Sequence, residues 1–96
     1  MKYRSRSDIV GLILEAANGG ASKTKIMYKS YLSFAQLKDY LAMLIEQRLI
    51  EYEETEHLFK TTSKGLRVLH LQNEINEEFD AIDDDRKRRV AVDLRD

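Results

Sequence analysis

Ser33-Phe34-Ala35-Gln36 opens the most legible element of the chain, followed by Leu37-Lys38-Asp39-Tyr40-Leu41 and then Leu44-Ile45. A serine with a glutamine three residues on, ahead of an apolar-periodic run, is a capping box, in which each side chain satisfies the other residue's backbone N–H. The spacing predicts a helix from Ser33 to about Arg48, with Leu37, Leu41, Leu44 and Ile45 on the core face and Gln36, Asp39, Tyr40 and Met43 spread over the other. Just upstream, Ser22-Lys-Thr-Lys-Ile-Met-Tyr-Lys predicts a shorter helix. Ser22 caps it, Ile26 and Met27 are its buried residues, and Lys29-Ser30 ends it before the turn Tyr31-Leu32. Two helices joined by a tight turn, the second longer and explicitly capped, make a helix-turn-helix arrangement.

Reading outward, Ile9, Leu12, Ile13 and Ala16 predict a first helix over about Ser7–Ala17, capped by Ser5 or Ser7, with Asp8 in its first turn. Gly19-Gly20 stops it, since glycine takes the left-handed conformation without a Cβ penalty. Downstream, Leu49-Ile-Glu-Tyr52-Glu and His57-Leu-Phe-Lys-Thr61 bracket Glu54-Thr55-Glu56 and read as a hairpin. Its tip lacks the glycine of a tight two-residue turn, so a longer loop is expected. Thr62 then caps a last and longest helix from Ser63 through about Asp80 or beyond. Its stripe is Val68, Leu71, Ile75, Phe79 and Ile82, with Leu66 and Leu69 packing its first turn on the domain.

Composition bounds what this plan can do. The chain has 96 residues and a formal net charge of -1, room for one domain with a thin core that a second subunit would help to stabilise. There is no cysteine, so disulfides, thiol nucleophiles and Cys-based metal sites fall away. No apolar run is long enough for a membrane span, and Met1-Lys2-Tyr3-Arg4-Ser5-Arg6 leads into no apolar signal-peptide core; a cytoplasmic protein is expected. Charge is uneven: net +4 over residues 1–30, -3 over 31–60 and -2 over 61–96. The acidic run Asp83-Asp84-Asp85 meets the basic run Arg86-Lys87-Arg88-Arg89 directly.

The residues Lys25-Ile-Met-Tyr-Lys, Leu32 through Leu41, Leu49-Ile50-Glu51-Tyr52 and Phe59-Lys60-Thr61-Thr62-Ser63-Lys64-Gly65-Leu66-Arg67 resemble the small archaeal winged helix-turn-helix proteins over roughly residues 6–82. The resemblance implies a mostly α, α+β fold and a dimeric DNA-binding protein, nucleoid-associated or a transcriptional regulator, whose last helices pair as an antiparallel coiled coil. The expected organisation is a winged helix-turn-helix domain over 1–65, a dimerisation helix over 66–82 and a charged tail over 83–96.

In such a fold the helix over about 33–48 enters the major groove of double-stranded DNA with its first turns. Ser33, Phe34, Gln36 and Tyr40 are then the side chains within reach of bases, and Lys23, Lys25, Lys29 and Lys38 those set against phosphates. Two readings of Gln36 stay open: an adenine-reading amide, or only the closure of the capping box. Phe34 reads rather as a hydrophobic anchor, and Tyr28, Tyr31 and Tyr40 as half-buried packing residues. Arg4 and Arg6 belong to an N-terminal arm, solvated or reaching phosphate. The hairpin carries Glu51, Glu53, Glu54 and Glu56 against Lys60 and His57, so it is not expected to grip DNA.

Enzymatic readings find no support: His57 and His70 are far apart in the plan, and His70 with Glu74 fits a helix-surface ion pair rather than a metal site. No catalytic residue, metal or cofactor is expected. The alternatives to a regulator are a winged-helix module that binds protein and not DNA, and a non-specific chromatin-type DNA-binding protein. Val68, Leu71, Ile75, Phe79 and Ile82 are the expected homodimer contacts, because too little chain is left to cover the later ones within one subunit.

Overall fold

The computed structural model describes residues 5–93, with side chains as far as Ile82. Three helices, a hairpin and a long helix follow in order: α1 (Arg6–Ala16), α2 (Lys23–Ser30), α3 (Phe34–Glu46), β1 (Ile50–Glu53), β2 (Leu58–Thr61) and α4 (Ser63–Asp93).

Each short helix starts where its serine can accept from the first turn's N–H groups, which have no partner within the helix. Ser5 caps α1 and closes a capping box with Asp8. Ser22 Oγ accepts from the Lys25 N–H at 3.2 Å. At α3 the Gln36 N–H donates to Ser33 Oγ at 3.2 Å while the Ser33 N–H donates to Gln36 Oε1 at 3.0 Å. α2 ends on Tyr31 in the left-handed region (φ 57), and Gly19 and Gly20 turn the chain between α1 and α2 at φ 83 and 104.

The core is Ile13, Leu14, Ala17, Ala21, Ile26, Leu32, Leu37, Leu41, Leu44 and Ile50. It differs from the sequence reading along α1: Ile13 and Leu14 are fully buried, whereas Ile9, Leu12 and Ala16 are half-buried around them. Ile45 and Leu66, both expected inside, are exposed. Ile45 lies at the edge of the stripe formed by Leu37, Leu41 and Leu44, and on α4 it is Val68 and Leu69 that pack on the core.

β1 and β2 pair antiparallel, with Ile50 opposite Thr61 and Glu53 opposite Leu58, leaving a four-residue tip of Glu54–His57. Ala21 adds a short third rung, exchanging two 2.9 Å backbone hydrogen bonds with Phe59, so the α1–α2 loop and the hairpin are stitched together.

The join between hairpin and α4 is built tightly. Thr62 Oγ1 donates to the Arg48 carbonyl at 2.7 Å and accepts from the Gly65 N–H at 3.0 Å, while Thr61 Oγ1 donates to the Leu14 carbonyl at 2.6 Å. Gly65 is buried at the crossing, where a Cβ would fall on the Leu49 carbonyl oxygen and within 2.7 Å of Thr61 Cγ2. Farther along, α4 touches α1 through Gln72, whose Nε2 donates to the Ser7 carbonyl at 2.6 Å over Gly11.

The backbone of α4 runs unbroken to Asp93, so the opposed charge blocks of residues 83–89 continue the helix. At 31 residues and 1.5 Å per residue it is about 46 Å long, well beyond the reach of the domain it leaves. Arg4, and the side chains of Arg86 to Arg89, lie outside the described residues.

Candidate nucleic-acid interface

Burial along α3 divides the helix into a core stripe, two flanks and an outward face. Leu37, Leu41 and Leu44 are buried, whereas Ala35, Asp39, Ala42 and Glu46, spaced by four, three and four residues, are exposed on the opposite side. One flank carries Phe34, Lys38 and Ile45, and the other Gln36, Tyr40 and Met43. Of the expected base readers, only Ser33 and Phe34 at the helix start and Gln36 one turn in are open to an approaching duplex; Tyr40 is half-buried against the core.

Each flank is met by a cation from another element. Lys23, at the start of α2, places Nζ 4.2 Å from the centre of the Phe34 ring, a cation–π contact across the turn of the motif. Phe34 is 57% exposed, so it does not bury itself as a hydrophobic anchor; its ring lies on the surface and holds the lysine. On the other flank Arg6, the first residue of α1, lies 3.8 Å from Met43 Sδ and lines a shallow cleft with Asp39, Tyr40 and Met43.

The remaining lysines do not converge on one spot. Lys25 and Lys29 sit one turn apart, exposed on the flank of α2 beside Ile26 and Ser30. Lys29 lines a second cleft with Leu12, Glu15, Ala16 and Tyr31, toward α1 rather than α3. Tyr28 and Tyr31, expected to be half-buried, are exposed. The core-facing positions of α2 are filled by Ile26, Met27 and Ser30, and Tyr31 is the left-handed cap that leads the chain away.

Gln36 shows how a site residue and a structural residue coincide. Its Oε1 accepts from the Ser33 N–H, which leaves the two N–H groups of the exposed side-chain amide to donate elsewhere. The sequence reading placed Asp39 on the outer face but gave it no role at the interface, and it passed over Ala35 and Ala42, which only their distance from the buried leucines marks.

On the wing, Glu51, Glu54 and Glu56 are exposed and Glu53 half-buried. The Tyr52 hydroxyl and His57 Nδ1 lie 2.9 Å apart, and the Tyr52 ring packs on Phe59 at 4.9 Å between centroids. His70 and Glu74 form an exposed i,i+4 pair at 3.3 Å, as expected. Among the described residues no group of three or more His, Asp or Glu side chains is placed to hold a metal ion, and no helix is long and apolar enough to cross a membrane.

A family model described as winged helix-turn-helix matches residues 3–80. The chain belongs to the winged helix-turn-helix family. Among solved structures, Sso10a-2, a DNA-binding protein from Sulfolobus solfataricus, superposes with a TM-score of 0.79 at 16% identity, covering 93% of this chain and 96% of that one. ZitR of Lactococcus lactis, solved in complex with DNA, superposes with a TM-score of 0.65 at 19% identity, covering 93% of this chain and 64% of that one. No curated protein sequence matches the chain. At these identities the superpositions speak for the fold, and they extend beyond the winged domain into α4.

Proposed function

We propose that this winged helix-turn-helix protein binds double-stranded DNA as a homodimer and acts as a transcriptional regulator, with α3 in the major groove. The observation that carries the reading is the exposed start of α3, flanked by Lys23 and Lys38 on one side and Arg6 on the other. Two cationic margins along one helix suit the two phosphate strands that border a groove. That Sso10a-2 is a DNA-binding protein and ZitR was solved with DNA supports the same reading. The acidic wing is kept off the phosphates by its charge, so α2, α3 and the start of α1 supply the grip.

A second copy of the chain supplies the second half of the interface. Leu71, Ile75, Phe79 and Ile82 are each more than half exposed, while Val68, the first of the expected stripe, is half-buried against its own core. Exposed apolar side chains stepping by four, four and three along a projecting helix fit a coiled-coil seam. Antiparallel pairing that sets Leu71 opposite Ile82 and Ile75 opposite Phe79 lets the same four side chains of both copies close one seam.

Fluorescence anisotropy of a labelled mixed-sequence duplex over a range of salt concentrations tests the DNA reading. Log affinity should fall linearly with log salt at about -0.9 per phosphate contact, and Lys23→Glu with Lys38→Glu should lower the slope by about two contacts. If no duplex is bound even at low salt, the protein-binding alternative, with the acidic wing as its surface, takes over.

A further inference from the structure

We infer that Asp39 is the residue of α3 that makes DNA recognition selective, by accepting a hydrogen bond from the N4 amino group of a cytosine in the major groove. The inference rests on the DNA-binding reading above and adds to it the base that is read and the reason non-specific DNA is disfavoured.

Asp39 stands in the middle of the outward row, with Ala35 one turn before it and Ala42 one turn after it. Two methyl-sized neighbours leave the carboxylate standing clear of the row between Ala35 and Ala42. Nothing on α3 itself neutralises it: the positions three and four residues away are Gln36, Ala42, Ala35 and Met43, none of them cationic. Among the described residues it has no hydrogen bond or ion pair, and Arg6, which shares its cleft, is directed to Met43 Sδ.

An ionised carboxylate accepts and cannot donate. In the major groove it is repelled by the N7 and O6 acceptors of guanine and the O4 of thymine. On an A·T pair the N6 donor lies between the N7 and O4 acceptors, whereas on a G·C pair the cytosine N4 donor ends the row, with an acceptor, the guanine O6, on one side only. Phosphates repel the same carboxylate. A helix carrying it between two cationic flanks is therefore attracted to the duplex at its margins and penalised at its centre unless a cytosine is there, which separates selective from non-selective binding by a repulsive element. The acidic wing acts in the same direction, and together they argue against a chromatin-type coat and for an operator-selective regulator.

The test is enrichment from a randomised duplex library with wild-type protein, Asp39→Asn and Asp39→Ala, together with the anisotropy of each on an unselected duplex and the thermal midpoint of each. Wild type should enrich a cytosine at one fixed position per half-site, with a preference of between about fivefold and a hundredfold. Asp39→Asn should move that preference to adenine, and Asp39→Ala should lose it while binding unselected DNA more tightly than wild type. If both variants keep the wild-type preference, or show only a lowered thermal midpoint, Asp39 is a structural partner of Arg6 and the inference is overturned. If wild type enriches sequences without a fixed cytosine, the inference fails while DNA binding stands. Absence of any binding by wild type removes both.

Discussion

At Thr62 and Gly65 the chain changes from strand to helix within four residues, and one hydroxyl ties the change to the turn before β1. The Thr62 hydroxyl is both donor to Arg48 and acceptor from Gly65. Thr62→Val keeps the shape and removes both bonds, so it should lower unfolding stability by about 1–2 kcal/mol in urea titrations. Gly65→Ala drives a methyl into the Leu49 carbonyl and should cost about 3 kcal/mol or more. Gly11→Ala is the contrasting case. Its Cβ meets only the end of the Gln72 side chain, so a lost hydrogen bond of about 1 kcal/mol is offset by about 1 kcal/mol of helix propensity, and the midpoint should hardly move. Arg48, exposed at φ 61, should tolerate glycine with a gain of about 1 kcal/mol. The sequence shows such residues unevenly. Thr62 was visible as a cap because capping is local, but its bond to Arg48, 14 residues away, depends on how β1 returns beside β2.

Between elements, the same division between local and distant causes runs through the whole fold. Three serine caps and the capping box of α3 were readable because their partners lie within three residues. The hairpin's longer tip followed from a missing glycine. Exposure was less legible, since Phe34, Tyr28, Tyr31 and Leu66 are apolar or aromatic at plausible core positions, and only the packing of α1, α2 and α4 around Leu37 and Leu44 decides that they stay outside. On the candidate interface the lysines were visible by charge, but their division between Lys23 at α3 and Lys29 at α1 required three dimensions. For α4 the spacing of Leu71, Ile75, Phe79 and Ile82 was visible, and their exposure bears on its use. Ile75→Asp with Phe79→Asp should convert a dimer to a monomer in sedimentation velocity while leaving the far-UV helix signal of the winged domain in place.

As a whole molecule the protein places a small core at one end of a helix about 46 Å long. If stability is shared between the core and the pairing of two such helices, the thermal midpoint should rise with protein concentration, and the double aspartate variant should abolish that rise. Ligand linkage adds a second check: a duplex bound by the folded dimer should raise the midpoint further, and added salt should remove the gain.

If two copies pair through the bare stripe on α4, as proposed, the amount of protein becomes a signal in its own right. A single copy offers a duplex one grip, and a pair offers two at once, the second engaged at a high effective concentration. Where most chains are unpaired, occupancy of a two-half-site operator would therefore climb with the square of total protein. A twofold rise in synthesis would then become a fourfold rise in bound complex while occupancy is low, a threshold set by concentration alone.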